Sequence, residues 1–323
     1  MRLAASLEEF QHVIADFALP SQHTLTRYLT SFFKGFYSHL PFIHVPTFRV
    51  NERAPELVLG FLAIGAQYQF EHRNAERLFH ASKAIVLERL STESRSTPCT
   101  APMPPHSVLV SQPPGQASPL HPSEATGNTR TWTQMELIRC LLVLMAYATW
   151  ERAELVQEAF SLLSVLVPHL RKSGLTENTA SSSSHSRLDW REWAEDESVR
   201  RTKLIAFCFV HIHSVTYNIY PVLRSSEINL RLPCSTEEWN ASSANEWQAV
   251  QRNLGSQQLC FQDALGRLLK SRTIALLNPI PAPLGSYILL HGLLQRIHLV
   301  NELALPNEDR SVAIPTEELN RLE

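Results

Sequence analysis

Residues 57–66, Leu-Val-Leu-Gly-Phe-Leu-Ala-Ile-Gly-Ala, are apolar on nearly every side of a helix. Ten residues are about half of what a membrane span needs. A helix without a polar face cannot lie on a surface either, so this segment belongs at the centre of a bundle of other helices. The Ala54-Pro55-Glu56 step in front of it places a proline near the first helical position, where its fixed φ starts a helix. Upstream, Leu25, Tyr28, Leu29, Phe32, Phe33, Phe36, Tyr37 and Leu40 recur at the three-and-four spacing of one helical face, with Ser21 or Thr24 placed to cap its start. Pro41 ends that helix, because its ring disfavours the α region for Leu40. No run alternates with the period of two that a sheet requires, and ten glycines leave few tight hairpins. The fold class is all-α, a multi-helix domain with long disordered insertions.

A third helix is predicted over 74–90. Residues 91–131 then hold eight of the twenty prolines and many Ser and Thr, and they lack a sustained apolar period. They cannot repay the entropy of ordering and read as a disordered insertion. Helix resumes at Thr133-x-x-Glu136, a capping-box pattern, and runs through the apolar stretch 137–147. The next helix starts near Glu151 and ends with Arg171, Lys172 and Gly174. Pro168 predicts a kink or early stop near Val167. Residues 176–188, with a serine run at 181–184, form a flexible loop. A long segment follows from Asp189 past Val215, then apolar helices near 247–269 and 284–305. Pro315 to Glu323 reads as a helix barely begun.

The balance of 29 basic and 31 acidic residues gives a net charge of −2, so no broad positive field is available to hold nucleic acid. Arg outnumbers Lys 24 to 5, which suits fixed ion pairs and stacking on aromatic rings. The five cysteines, at 99, 140, 208, 234 and 260, are too far apart for a Cys-x-x-Cys knuckle, and their odd number argues against a complete disulfide framework. A reducing, intracellular compartment is expected, without a membrane segment or a secretory leader.

Residues that could carry chemistry are few. His211 and His213 differ by about 200° on a helix and cannot share one ion; one packed and one exposed histidine is expected. His39 and His44 flank Pro41 and suit hydrogen-bonded structural roles. The charged run 192–201, with Glu195, Asp196, Arg200 and Arg201, reads as a solvated helix face with surface ion pairs. Trp190 and Trp193 share one side of a helix, with Trp239 and Trp247 later in the chain. Core packing and an aromatic-lined pocket for a small apolar ligand are both open for them. No His-Glu-x-x-His, Gly-x-Ser-x-Gly, phosphate-cradling glycine loop or dinucleotide fingerprint occurs. No catalytic, cofactor-binding or metal-binding residue is assigned, and the chain is not expected to be an enzyme.

One stretch reaches further. Tyr37-Ser-His-Leu-Pro-Phe-Ile-His-Val-Pro-Thr-Phe48 joins an aromatic helix to a double-proline turn. It is followed in order by Ala63-Ile-Gly-Ala-Gln-Tyr68, 75–83, 134–147, 159–175, Trp190-x-x-Trp193 with Glu197 and Arg200-Arg-Thr202, Leu232-Pro-Cys with Trp239-x-Ala241 and Trp247, and Gly285-Ser-Tyr-Ile-Leu-Leu-His291. This order, over residues 24–300, resembles the fungal-specific transcription factor domain. The Trp-x-x-Trp, Leu-Pro and Tyr-Ile-Leu-Leu-His pieces are most similar to members that follow two-Cys two-His fingers. The resemblance implies one regulatory domain over 1–323, incomplete at one or both ends. It also implies a nuclear transcription regulator, with the transcription machinery or another regulator as partner and a metabolic or secondary-metabolite gene cluster as its field of action. A small-molecule effector and a homodimer are compatible with it. Relatives of this type bind DNA through a separate zinc module. No two cysteines here lie within 25 residues of each other, so DNA contact is expected only indirectly or through a module absent from this chain, and no zinc or other cofactor is assigned to it. Two other readings from the residues are a helical small-molecule sensor and an enzyme with a dispersed His and carboxylate site.

Overall fold

The computed structural model describes residues 2–96, 133–151, 153–177, 189–253, 257–270 and 277–304. Its α-helices are α1 (Arg2–Glu8), α2 (Gln22–Ser31), α3 (Pro55–Tyr68), α4 (His72–Ser96), α5 (Gln134–Glu151), α6 (Val156–Lys172), α7 (Trp190–Thr216), α8 (Thr236–Asn240), α9 (Ala244–Asn253), α10 (Phe261–Lys270) and α11 (Pro283–Ala304). Among the described residues there is no strand, only isolated bridges pairing Thr176 with Asn229 and Arg231 with Cys260. None of these helices is long and apolar enough to cross a membrane.

The all-round apolar segment takes the central place. Every residue from Pro55 to Ala66 of α3 is buried, and α2, α4 and α5 pack around it. Each fully buried Leu or Phe there contributes roughly 1.5–3 kcal/mol. Gly65 lets α2 approach to backbone contact, since a Cβ at this position would lie 1.9 Å from the Tyr28 carbonyl oxygen. Helix α5 is buried from Glu136 to Ala148, and α7, buried from Arg201 to His211, packs against α5 and α11.

The aromatic helix departs from its expected form. Ser21 caps it, its hydroxyl accepting from the Thr24 N–H at 3.3 Å, but α geometry stops at Ser31. A π turn, Phe32–Phe36, follows, closed by Tyr37 N–H donating to the Phe32 carbonyl at 3.0 Å. The helix thus ends before Pro41 is reached. Its aromatic packing accounts for the widened turn: Phe32 stacks on Phe61 with ring centroids 4.4 Å apart, and Phe36 is turned inward toward Trp150.

Other boundaries shift for identifiable reasons. Helix α4 runs to Ser96, so residues 91–96 belong to it and not to an insertion; 97–131 lie outside the described residues, as do 178–188 and 315–323. Thr176 and Glu177, assigned to a loop, are fixed by pairing with Asn229. Thr133 caps α5 by accepting from Glu136 N–H at 3.2 Å, but the Glu136 carboxylate does not close the box. It reaches across to Arg53 at 3.1 Å and the Ala54 N–H at 2.9 Å, capping α3 instead. Pro168 does not stop α6, which continues past it to Lys172. It lies on the exposed face, where the Ser164 carbonyl deprived of a partner is open to solvent. Gly174 ends this stretch with φ +77°, as its position implied. The apolar stretch 247–269 is two helices, α9 and α10, not one.

Candidate functional site

The turn after the aromatic helix is locked before it reaches its partners. Tyr37 donates its hydroxyl hydrogen to the Ile43 carbonyl at 2.6 Å and accepts from the Trp239 indole N–H at 3.1 Å. His44 Nδ1 lies 2.9 Å from the Thr47 hydroxyl, and Thr47 also donates to the His44 carbonyl at 3.3 Å. The His44 ring, 2% exposed, fills the centre of a tryptophan cluster. Ring centroids of Trp239, Trp190 and Trp193 lie 5.0, 5.6 and 6.1 Å from it, all edge-on, and Trp247 packs on Trp193 at 5.2 Å. Of the two readings open for these tryptophans, packing is the one realised here, with a histidine where a ligand would have to sit. His39 is exposed and stands apart from His44.

One turn further along α7 lies the feature that the charge pattern concealed. Glu197 and Arg201 are 1% and 4% exposed, not part of a solvated face. Glu197 accepts from Arg201 Nε at 2.9 Å and from the Cys234 backbone N–H at 2.9 Å, and its second oxygen pairs with Arg200. Arg200 reaches on to Glu177 at 2.8 Å, and Glu177 accepts from the Arg231 N–H at 3.2 Å. The Arg201 guanidinium lies over the Trp239 ring, 3.8 Å from its centroid, and donates to the Cys234 carbonyl at 3.3 Å. Burial works to raise the Glu197 carboxyl, but Arg201 and Arg200 overcome it and hold it below the ordinary glutamate range. Glu238 goes the other way, raised by burial and by Glu197. A second network adjoins it: Arg139 pairs with Glu195 at 2.9 Å and donates to Thr202 at 3.3 Å, and Arg53 bridges Glu136 and Glu195.

Three distant stretches are therefore keyed together: the double-proline turn, the first half of α7, and the Leu232-Pro-Cys-to-Trp239 segment. The readable signal was spacing. Trp190, Trp193, Glu197 and Arg201 follow one another by three, four and four residues and share one face of α7, so an acid and an arginine on a face already carrying two tryptophans belong inside. Their partners at Cys234 and Trp239 have no local signature.

His211 and His213 are both buried, which corrects the expectation of one exposed ring, because α7 is covered on nearly all sides. His211 Nδ1 lies 2.9 Å from His291 Nδ1 on α11; His213 bonds the Phe209 carbonyl and the Thr149 hydroxyl, each at 2.9 Å. They point to different partners and do not meet. Among the described residues no three His, Cys, Asp or Glu side chains come together as a metal site. Cys140, Cys208, Cys234 and Cys260 are buried free thiols, all pushed up by burial and hence held as thiols, not as nucleophilic thiolates. An open groove of about 730 Å³ lies between residues 12–17 and α4, with Arg73 and Arg77 beside Asp16 and Glu76.

Burial lowers the His44 pKa from 6.5 to about 4, opposed by the Trp239 backbone and reinforced by Arg201. The unfolded chain takes up a proton at His44 between pH 6.5 and about 4 that the folded chain refuses. Its contribution to stability is therefore complete above pH 6.5 and lost as pH falls to about 4. His44→Asn is expected to flatten the fall of stability across that window, measured by urea unfolding at stepped pH. An unchanged slope would contradict the placement of His44. Part of the slope persists in the variant, since His291 is also lowered to about 4.

Residues 29–311 match the profile of the Fungal specific transcription factor domain. Over 240 residues the chain is 27% identical to the nicotinate catabolism cluster-specific transcription factor of Emericella nidulans, a stretch covering 72% of this chain and 24% of that protein. The chain thus spans about a quarter of that relative's length. No solved structure matches it.

Proposed function

The chain belongs to the Fungal specific transcription factor domain family, and from that premise we propose that it acts as the regulatory region of a nuclear transcription regulator of a metabolic gene cluster. One observation carries this reading. The match runs from residue 29 to residue 311, so the segments keyed around His44, Glu197 and Trp239 all fall within it, and the keyed body is the family domain itself. The Emericella nidulans relative, named for a catabolic gene cluster, supports the choice of cluster regulation over a general role. The near balance of charge, −2 overall, leaves DNA contact to a separate zinc-bearing module, while this body controls output through the transcription machinery or another regulator. Its polar groups suit such a role, since the buried charges compensate one another and position helices.

Fusion of the full chain to an unrelated DNA-binding module at a reporter promoter tests the reading. The fusion is expected to change reporter output several-fold relative to the module alone. A folded, nuclear fusion that leaves output unchanged would overturn it.

A further inference from the structure

We propose that Phe70, carried on the turn between α3 and α4, is the anchor of a docking surface for an acidic partner protein. The surface stands independently of the regulatory reading.

Helix α3 ends in a turn closed by two backbone bonds. Phe70 N–H donates to the Gln67 carbonyl at 2.9 Å, and Glu71 N–H donates to the Ala66 carbonyl at 3.0 Å. This pair of bonds requires a left-handed residue just past the helix, a position that glycine ordinarily fills and asparagine sometimes does. Here it is Phe70, with φ +57°. A Cβ in that conformation crowds a backbone carbonyl oxygen, so the residue is held at a cost in energy. Burial of the ring would offset the cost, but Phe70 is 83% exposed, more than any other large apolar side chain among the described residues. Scattered exposed apolar residues are ordinary on a protein surface. One that strains the backbone and returns nothing to the fold is not, and strain of this kind collects where a side chain is displayed for something else to bind.

The display is rigid. On one side of Phe70, Gln69 donates to the Ser31 hydroxyl; on the other, Glu71 accepts from Arg27, from Tyr28 and, at 3.1 Å, from Asn74. Asn74 also donates to the Tyr28 hydroxyl at 2.9 Å. The backbone is thus pinned before and after the anchor, and little freedom remains to be lost when it docks. Tyr68, 42% exposed, lies against Gly35, where a Cβ would come within 2.5 Å of the ring, and adds a second aromatic to the surface.

The charge around the anchor selects the partner. The two segments that meet here, 27–36 and 67–73, carry the cations Arg27, Lys34 and Arg73 against the single carboxylate of Glu71, in a chain whose total charge is −2. All three cations are exposed. Aromatic rings with arginine beside them have the composition of an interface core, and a cationic rim is complemented by an anionic one. A partner protein with a pocket of aromatic size and carboxylates at its edge meets both requirements. A second copy of this chain does not, since a two-fold pair through this surface would set the cations against their own mates. Nucleic acid fits no better, because three cations beside a carboxylate make no extended track for phosphates.

Photo-crosslinking of the full chain in the source organism reads the contact. p-Benzoylphenylalanine in place of Phe70 is expected to give a product heavier than the chain, identified by mass spectrometry as its adduct with an acidic protein. The same group in place of Gln248, exposed on α9, is expected to give none of that adduct. Lys34→Glu and Arg73→Glu together are expected to cut the yield about tenfold, with circular dichroism kept because both side chains are exposed. Phe70→Gly is expected to raise the melting temperature by about 2 °C, since glycine takes the left-handed conformation freely and no packing is lost. A yield at position 70 no greater than at position 248, an adduct of two copies of the chain, an adduct destroyed by nuclease, or an undiminished yield after charge reversal would each overturn the proposal. So would a Phe70→Gly protein that melts below the wild type.

Discussion

Replacement of Gly65 by alanine is expected to destabilise the protein by about 3 kcal/mol or more, enough to unfold a domain of ordinary stability at moderate urea. The added methyl would stand 1.9 Å from the Tyr28 carbonyl oxygen, 2.6 Å from its carbonyl carbon and 3.0 Å from its Cα. Those are backbone atoms inside a helix, so no rotamer change relieves the clash and α2 must move off α3 as a unit. Such a movement would loosen the Phe32–Phe61 stack and the adjoining polar clasp in which Glu71 accepts from Arg27 and Tyr28. Gly266→Ala is the matched control. It too lies within a helix, α10, but nothing comes within 4 Å of its Cβ position. Its expected effect is neutral to stabilising, up to about 1 kcal/mol from helix propensity. Urea unfolding of both variants reads the difference; a Gly65→Ala protein within about 1 kcal/mol of wild type would refute the contact between α2 and α3.

Glu197→Ala is expected to cost about 3–5 kcal/mol, the range for removing one partner of a buried charge pair and leaving the other uncompensated. Arg201 and Arg200 would keep their charges without the carboxylate that joins them, and the Cys234 N–H would lose its acceptor. Glu158→Ala at the more exposed pair with Lys83 is expected to cost about 1 kcal/mol or less. The pH dependence has a definite sign. The Glu197 carboxyl is held below its ordinary value, so its contribution is complete above the usual glutamate range and is lost as pH falls below it. Glu197→Ala should therefore remove part of the acid lability as well as the stability; a variant that loses stability while keeping the full acid transition would place the charge elsewhere.

How much of this could be read in advance differs from helix to helix. The burial of α3 was legible because Leu57 to Ala66 has no polar face to offer water. The start of that helix at Pro55 and the N-cap at Ser21 were legible because both are local chemistry. The π turn was not. Phe32 to Phe36 repeat at helical spacing, and only packing against Phe61 and Trp150, contributed from elsewhere in the chain, selects the wider turn. Pro168 misled as a stop signal because its effect depends on which face it occupies, and on the exposed face the helix runs on through it. Glu197 and Arg201 misled because an alternating charge run ordinarily lies in water. The three-and-four spacing that joins them to Trp190 and Trp193 was present in the same stretch of chain and carried the correct answer. The His211–His291 contact joins residues 80 positions apart, and neither ring has a neighbour in sequence that marks it.

The most direct test of the regulatory account is a transcript profile of the source organism with this gene deleted and then overexpressed. The account requires a coherent set of genes, neighbours of this one among them, to shift in opposite directions under the two conditions. Profiles that match the unmodified strain in both, under inducing conditions, would contradict it.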